Sequence, residues 1–120
     1  MKKILIVDDS SYMRMLIMKT IKKSGLYIMF EAGTQEEALE QFKVSKPDIV
    51  ILDLNMSEFR QDGIAVLTGI MEINPEAVVI IISAVGYEHV KDECIALGAK
   101  GYIKKPFETD ELLQLLEQYN

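Results

Sequence analysis

Five short apolar runs recur along the chain with helical spacing between them, and that alternation limits the fold more than any other feature. The runs are Ile4–Val7, Tyr27–Phe30, Ile49–Leu52, Val78–Ile82 and Gly101–Ile103. Three of them are aliphatic without polar alternation, the mark of strands covered on both faces. Between the first two, Met13, Leu16, Ile17 and Ile21 make one helical stripe, closed by Gly25. Leu39 and Phe42 make a thinner stripe behind Thr34-Gln-Glu-Glu37, which has the form of a capping box. Ile64, Leu67 and Met71 form a third stripe, stopped by Asn74-Pro75, and Val90, Cys94 and Leu97 form a fourth, closed by Gly98. Thr109 opens the last helix, with Leu112, Leu115, Leu116 and Tyr119 on its inner side. Strand and helix alternate from start to finish. That order predicts an α/β fold, a doubly wound parallel sheet with helices on both faces.

The same order, free of repeats, low-complexity tracts or linkers, predicts one domain over residues 1–120. Apolar residues make up 49% and charged residues 27% of the chain, a globular balance. A net charge of −6 argues against a nucleic-acid binder, which needs a basic face, although 13 Lys and Arg leave room for local basic patches. The single cysteine, Cys94, has no internal disulfide partner, and one His with one Cys is too few for a Cys/His zinc site. At the N-terminus, MKKILIVDDSS starts like a signal peptide, but Asp8 and Asp9 end its apolar run too early. No run approaches the ~18 apolar residues of a membrane span, so the expectation is a cytoplasmic protein without membrane insertion.

In open α/β sheets, ligands bind beyond the carboxyl ends of the strands, where the strand order reverses. The residues there are Asp8 and Asp9 after the first run, Asp53 after the third, Ser83 after the fourth and Lys104-Lys105-Pro106 after the fifth. Asp53 is conspicuous because it ends IVILDLNM, an apolar run built for a dry core. Two carboxylates ~5 Å apart at an effective dielectric of ~20 repel by ~3 kcal/mol. Three such pairs would take a large part of a domain's net stability of ~5–15 kcal/mol. A proton or a cation must therefore sit among them. Carboxylates, carbonyls and water are hard ligands, which suit magnesium, and a lysine adds a second positive charge. Each residue alone has a plainer reading. Asp53 is then a solvated turn residue, Asp8, Asp9 or Ser10 a helix cap, Ser83 uninformative and Lys105 a surface lysine. Their meeting at one edge of one fold is what points to a site.

These residues carry a resemblance. The chain resembles a response-regulator receiver domain through ILIVDD at 4–9, IVILDLNM at 49–56, Asp62-Gly63, Ser83-Ala84 and GAKGYIKKPF at 98–107. The resemblance spans the whole chain and implies no output domain. It implies a flavodoxin-like (βα)5 sheet in the order 2-1-3-4-5. It also implies that Asp53 is the phosphoacceptor, a carboxylate nucleophile taking a phosphoryl group from a histidine kinase. Asp8, Asp9 and Asp53 would bind Mg²⁺ with the backbone carbonyl of Asn55, Asp8 largely through water. Lys105 would contact the phosphoryl group, across a cis bond to Pro106, and Lys104 would be a surface residue. Ser83 and Tyr102 would be the switch pair: the hydroxyl moves to the phosphate, the ring follows inward, and a protein-binding surface changes. Without the family, Tyr102 is a half-buried strand aromatic. His89, among charged neighbours, is given no role.

The resemblance breaks after Met56. The family's usual proline is absent, and Ser57–Gln61 make a loop two residues longer before Asp62-Gly63. Asn55 and Val85 occupy the two positions through which the family tunes dephosphorylation. DDSSYMR at 8–14 resembles the chemotaxis type of stand-alone receiver, which acts on the flagellar motor switch. The implied role is a phosphorylation-switched signalling protein, not an enzyme acting on a separate metabolite. Alternatives are a phosphorelay intermediate, passing phosphate to another protein's histidine, and a phosphorylation-independent binding module. A flavin carrier of the same architecture is excluded, because Asp8-Asp9 would repel the cofactor phosphate.

Overall fold

The computed structural model of the protein describes residues 1–54, 61–84 and 88–119, apart from the side chains of residues 61, 62, 88 and 89. Strands β1 (Lys2–Val7), β2 (Tyr27–Ala32), β3 (Ile49–Asp53), β4 (Val78–Ala84) and β5 (Gly101–Lys105) alternate with helices α1 (Ser11–Lys22), α2 (Gln35–Ser45), α3 (Gln61–Ile73), α4 (Glu88–Ala96) and α5 (Thr109–Glu117). The strands form one parallel sheet in the order β2-β1-β3-β4-β5, as the resemblance implies.

Period-two side-chain alternation divides the interior between the faces of the sheet. One face is lined almost wholly by isoleucine: Ile4 and Ile6 of β1, Ile49 and Ile51 of β3, Ile80 and Ile82 of β4, and Ile103 of β5. Ile17 and Ile21 of α1 and Leu112 and Leu116 of α5 cover it. The other face carries Leu5, Val7, Val50, Leu52, Val79 and Ile81, under α2, α3 and α4. The central strands are buried on both sides, so their sequences show no alternation.

The helix ends follow local chemistry. Ser10 caps α1, its Oγ accepting from the Met13 N–H at 3.2 Å, so neither Asp8 nor Asp9 serves as the cap. Thr34 caps α2 by accepting from the Glu37 N–H at 3.1 Å. The return bond of the expected capping box is displaced by one residue, since the Glu37 carboxylate accepts from the Gly33 N–H at 2.9 Å. Gly25 (φ +68°) and Gly98 (φ +115°) lie just past the ends of α1 and α4, where left-handed backbone suits glycine.

Two helical stripes differ from expectation. Leu16 is 40% exposed, and Thr20 is buried in its place beside Ile17 and Ile21. The Thr20 hydroxyl donates to the Leu16 carbonyl at 3.0 Å, and that internal bond makes its burial tolerable. Leu97 lies one residue past α4 and remains 37% exposed. Among the described residues, no helix is long and apolar enough to cross a membrane.

Candidate functional site

The isoleucine-lined face ends in charge. Along β3, Ile49 and Ile51 are followed at the same spacing by Asp53; along β5, Ile103 is followed by Lys105; after β1, Ile4 and Ile6 are followed by Asp8. The strand period that builds the core thus sends two acids and a lysine out of the sheet's carboxyl end. Asp9 joins them from the turn into α1, and Asp8, Asp9 and Asp53 each place a carboxylate oxygen within 4.8 Å of the other two. Asp8 and Asp53 are buried and Asp9 is exposed. The Lys105 ammonium donates to Asp53 Oδ1 at 3.1 Å and lies 3.9 Å from Asp8 Oδ2. The Lys105–Pro106 peptide bond is cis.

Asp8 is held firmly and left incomplete. Its N–H donates to the Ala32 carbonyl at 3.1 Å, and its Oδ1 accepts from the Ser10 N–H at 2.9 Å. Its Oδ2 is buried without a hydrogen-bond partner. Burial pushes the Asp8 carboxyl up from 3.8 to about 6, and the charges of Asp53 and Asp9 push the same way. The Ser10 N–H and Lys105 oppose the shift. A buried acid that resists ionisation, with one oxygen unsatisfied and two carboxylates beside it, suits a cation in addition to the Lys105 ammonium. The donors are all hard oxygens, which fit a small divalent ion keeping part of its water shell.

Ser83 and Tyr102 stand apart from this cluster. Ser83 is fully buried and follows Ile82, the register partner of Asp53. By strand alternation it continues the row of Val79 and Ile81, on the face covered by α2, α3 and α4. Tyr102 pairs with Ile81, packs against that same core and is half-buried, with the Lys91 ammonium 5.7 Å from its ring centre. The candidates therefore gather at one end of the sheet but on two faces. Lys104 is exposed, as expected. Asn55, Val85 and the loop from Ser57 lie outside the described residues, as does the His89 side chain. Cys94 is buried in the core, which pushes its thiol up to about 11 and leaves almost no reactive thiolate.

Two further residues shape the site: Gly63, part of the Asp62-Gly63 motif, and Arg14, which carries no sequence signal of its own. A side chain on Gly63 would place its Cβ 2.6 Å from the carbonyl oxygen of Leu54, the residue after Asp53. Glycine there lets α3 close directly onto the backbone behind Asp53, a physical reason for the Gly63 of that motif. Arg14 reaches back from α1, with Nη1 donating to the Asp8 carbonyl and Nε to the Glu31 carboxylate, both at 2.7 Å.

Comparison with known proteins agrees with this arrangement. Residues 4–117 match the family described as "Response regulator receiver domain". "Chemotaxis protein CheY" of Thermotoga maritima is 40% identical over 98% of this chain and 96% of its own length. The protein of the same name from Listeria monocytogenes is 42% identical over 98% of each. Among solved structures, the receiver domain of NtrX from Brucella abortus superposes with a TM-score of 0.90 at 32% identity, covering 97% of this chain and 96% of that one. The chain spans about a quarter (26%) of the longer NtrX chain from that organism, with a TM-score of 0.91. Sequence match, sheet order and acid cluster agree: the chain belongs to the response regulator receiver domain family.

Proposed function

We propose that the protein accepts a phosphoryl group on Asp53 from a histidine kinase, in a Mg²⁺-dependent step, and so switches a protein-binding surface in chemotaxis signalling. The observation that carries this reading is the ion pair of Lys105 with Asp53 inside the three-acid cluster. It supplies a nucleophilic carboxylate, a fixed cation and the ligands for a metal at one rigid strand end. Asp53 attacks phosphorus, forming a P–O bond as the P–N bond to the kinase histidine breaks and the imidazole leaves. Asp8, Asp9 and Asp53 would hold Mg²⁺, and Asn55 would add its carbonyl. When bound, Mg²⁺ neutralises the acids and the charge on the transferring phosphoryl oxygens. Lys105 stabilises the same oxygens, and the sheet keeps Asp53 in line for attack.

The phosphoryl signal then crosses the sheet. Ser83 offers its hydroxyl to the new group, and Tyr102, on the same face, follows inward from its place beside Lys91. This changes the surface of α4, β5 and α5, which meets the downstream partner. The chemistry is the protein's own phosphorylation and dephosphorylation, in the service of signalling. Similarity to chemotaxis proteins across nearly the whole chain favours chemotaxis over a phosphorelay. Intact mass after incubation with acetyl phosphate tests the first step. A single phosphoryl adduct is expected with Mg²⁺ and none with EDTA; no adduct with Mg²⁺ from either acetyl phosphate or a phosphorylated histidine kinase would overturn the proposal.

A further inference from the structure

Arg14 belongs to none of the roles above, yet it bridges three elements at the edge of the acid cluster. It starts in the first turn of α1. One arm of its guanidinium holds the Asp8 carbonyl at 2.7 Å and its Nε holds Glu31, next to last in β2, at 2.7 Å. Its side chain is only 17% exposed. The Asp8 carbonyl is part of the peptide leading into Asp9. Asp8 is already fixed through its N–H and its Oδ1, so this carbonyl is the remaining handle on the turn. Rotating that peptide would swing the exposed Asp9 carboxylate away from the buried pair it must meet within 4.8 Å.

Gly33 supplies an independent observation of the same kind. A Cβ at Gly33 would lie 2.9 Å from Arg14 Nη1, the atom that holds the Asp8 carbonyl, and 3.5 Å from Cζ. The absence of a side chain at position 33 gives the guanidinium its seat. Glu31 orients it from one side and the bare Gly33 backbone admits it from the other.

We infer that Arg14, seated between Glu31 and Gly33, is a positioning residue that sets the Asp8–Asp9 peptide so that three carboxylates converge on one cation. The inference rests on the metal-binding reading above. Groups that orient metal ligands are worth roughly 10–100-fold in affinity, and the weakening expected here is about tenfold. A purely structural clip between α1 and β2 would instead lower stability and leave Mg²⁺ affinity unchanged.

Mg²⁺ titrations followed by amide NMR shifts, beside urea unfolding without metal, separate these outcomes. Arg14→Ala should weaken Mg²⁺ binding about tenfold and Gly33→Ala measurably but less, since an added Cβ displaces the guanidinium without removing it. Both losses should exceed what any fall in the unfolding midpoint explains, and both variants should reach wild-type shifts at saturating metal. Gly33→Ala keeps the arginine and its charge, so it answers the question even if Arg14→Ala folds poorly. Arg14→Lys, which keeps the charge but not the fork, should rescue only part of the loss. Wild-type affinity in Gly33→Ala would overturn the inference, because the seat beside Gly33 would then not set the Asp8–Asp9 peptide. Loss of charge does not account for weaker binding in Arg14→Ala, since removing a cation near the acids favours Mg²⁺. Wild-type affinity in both alanine variants, with binding lost in Asp9→Asn, would overturn it and leave the metal site standing. No Mg²⁺ shifts near Asp8, Asp9 and Asp53 in the wild type would overturn the metal site itself and the inference with it.

Discussion

Lys105→Ala is expected to slow phosphoryl acceptance from acetyl phosphate by roughly 100-fold or more, the usual cost of removing one preorganised group from developing negative charge. The ammonium already lies 3.1 Å from Asp53 Oδ1, at the end of a strand and largely enclosed, so it needs little reorganisation to meet incoming phosphoryl oxygens. The same substitution should leave Mg²⁺ affinity unchanged or tighter, because it removes a cation competing for Asp53 and Asp8. Rate and affinity are measured separately, by the time course of the mass adduct at saturating Mg²⁺ and by metal titration. A rate within about threefold of wild type, far below the cost of a lost preorganised donor, would remove Lys105 from the chemistry.

Asp8→Asn is expected to stabilise the metal-free protein, by an amount that depends on pH. Asp8 ionises near 3.8 in the unfolded chain and only at about 6 in the folded one. Between those values the folded state keeps a proton that the unfolded state has released. Stability from this group is therefore complete below pH 3.8 and is lost as pH rises through about 6. Asparagine cannot ionise, so in EDTA the variant should gain on wild type across this window, by roughly 3 kcal/mol for a shift of this size. Mg²⁺ should shrink or reverse the gain, since a metal that binds only the folded wild type stabilises it by mass action. Urea unfolding above and below the window, with and without metal, measures both effects. A gain independent of pH would contradict the titration of Asp8.

The legibility of the site follows from its construction. Asp8, Asp53 and Lys105 were readable because each extends a strand run by one period-two step, so the pattern that announces the core also announces the edge. The strand order was not readable from that pattern, since neither alternation nor length says which strand pairs with which. It came through the family resemblance, and the register agrees. Ser83 is legible as a residue of the sheet's carboxyl end, but the run Val78–Ile82 does not announce which face it joins. Alternation puts it with Ile81 on the α4 side, which is why it pairs naturally with Tyr102. Thr20 and Arg14 were illegible for a common reason. A threonine looks polar until its hydroxyl is seen bonded within its own helix, and Arg14 acquires meaning only from a carbonyl and a carboxylate on two other elements.

The most direct test of the central claim is to locate the phosphoryl group. The protein is treated with acetyl phosphate and Mg²⁺, quenched with borohydride, which reduces an acyl phosphate to the alcohol, and mapped by peptide mass spectrometry beside Asp53→Asn. The expected result is homoserine at position 53 in the wild type, none in the variant, and none in EDTA. Reduction at another carboxylate, or an unlabelled Asp53 while the intact protein carries phosphate, would contradict Asp53 as the acceptor.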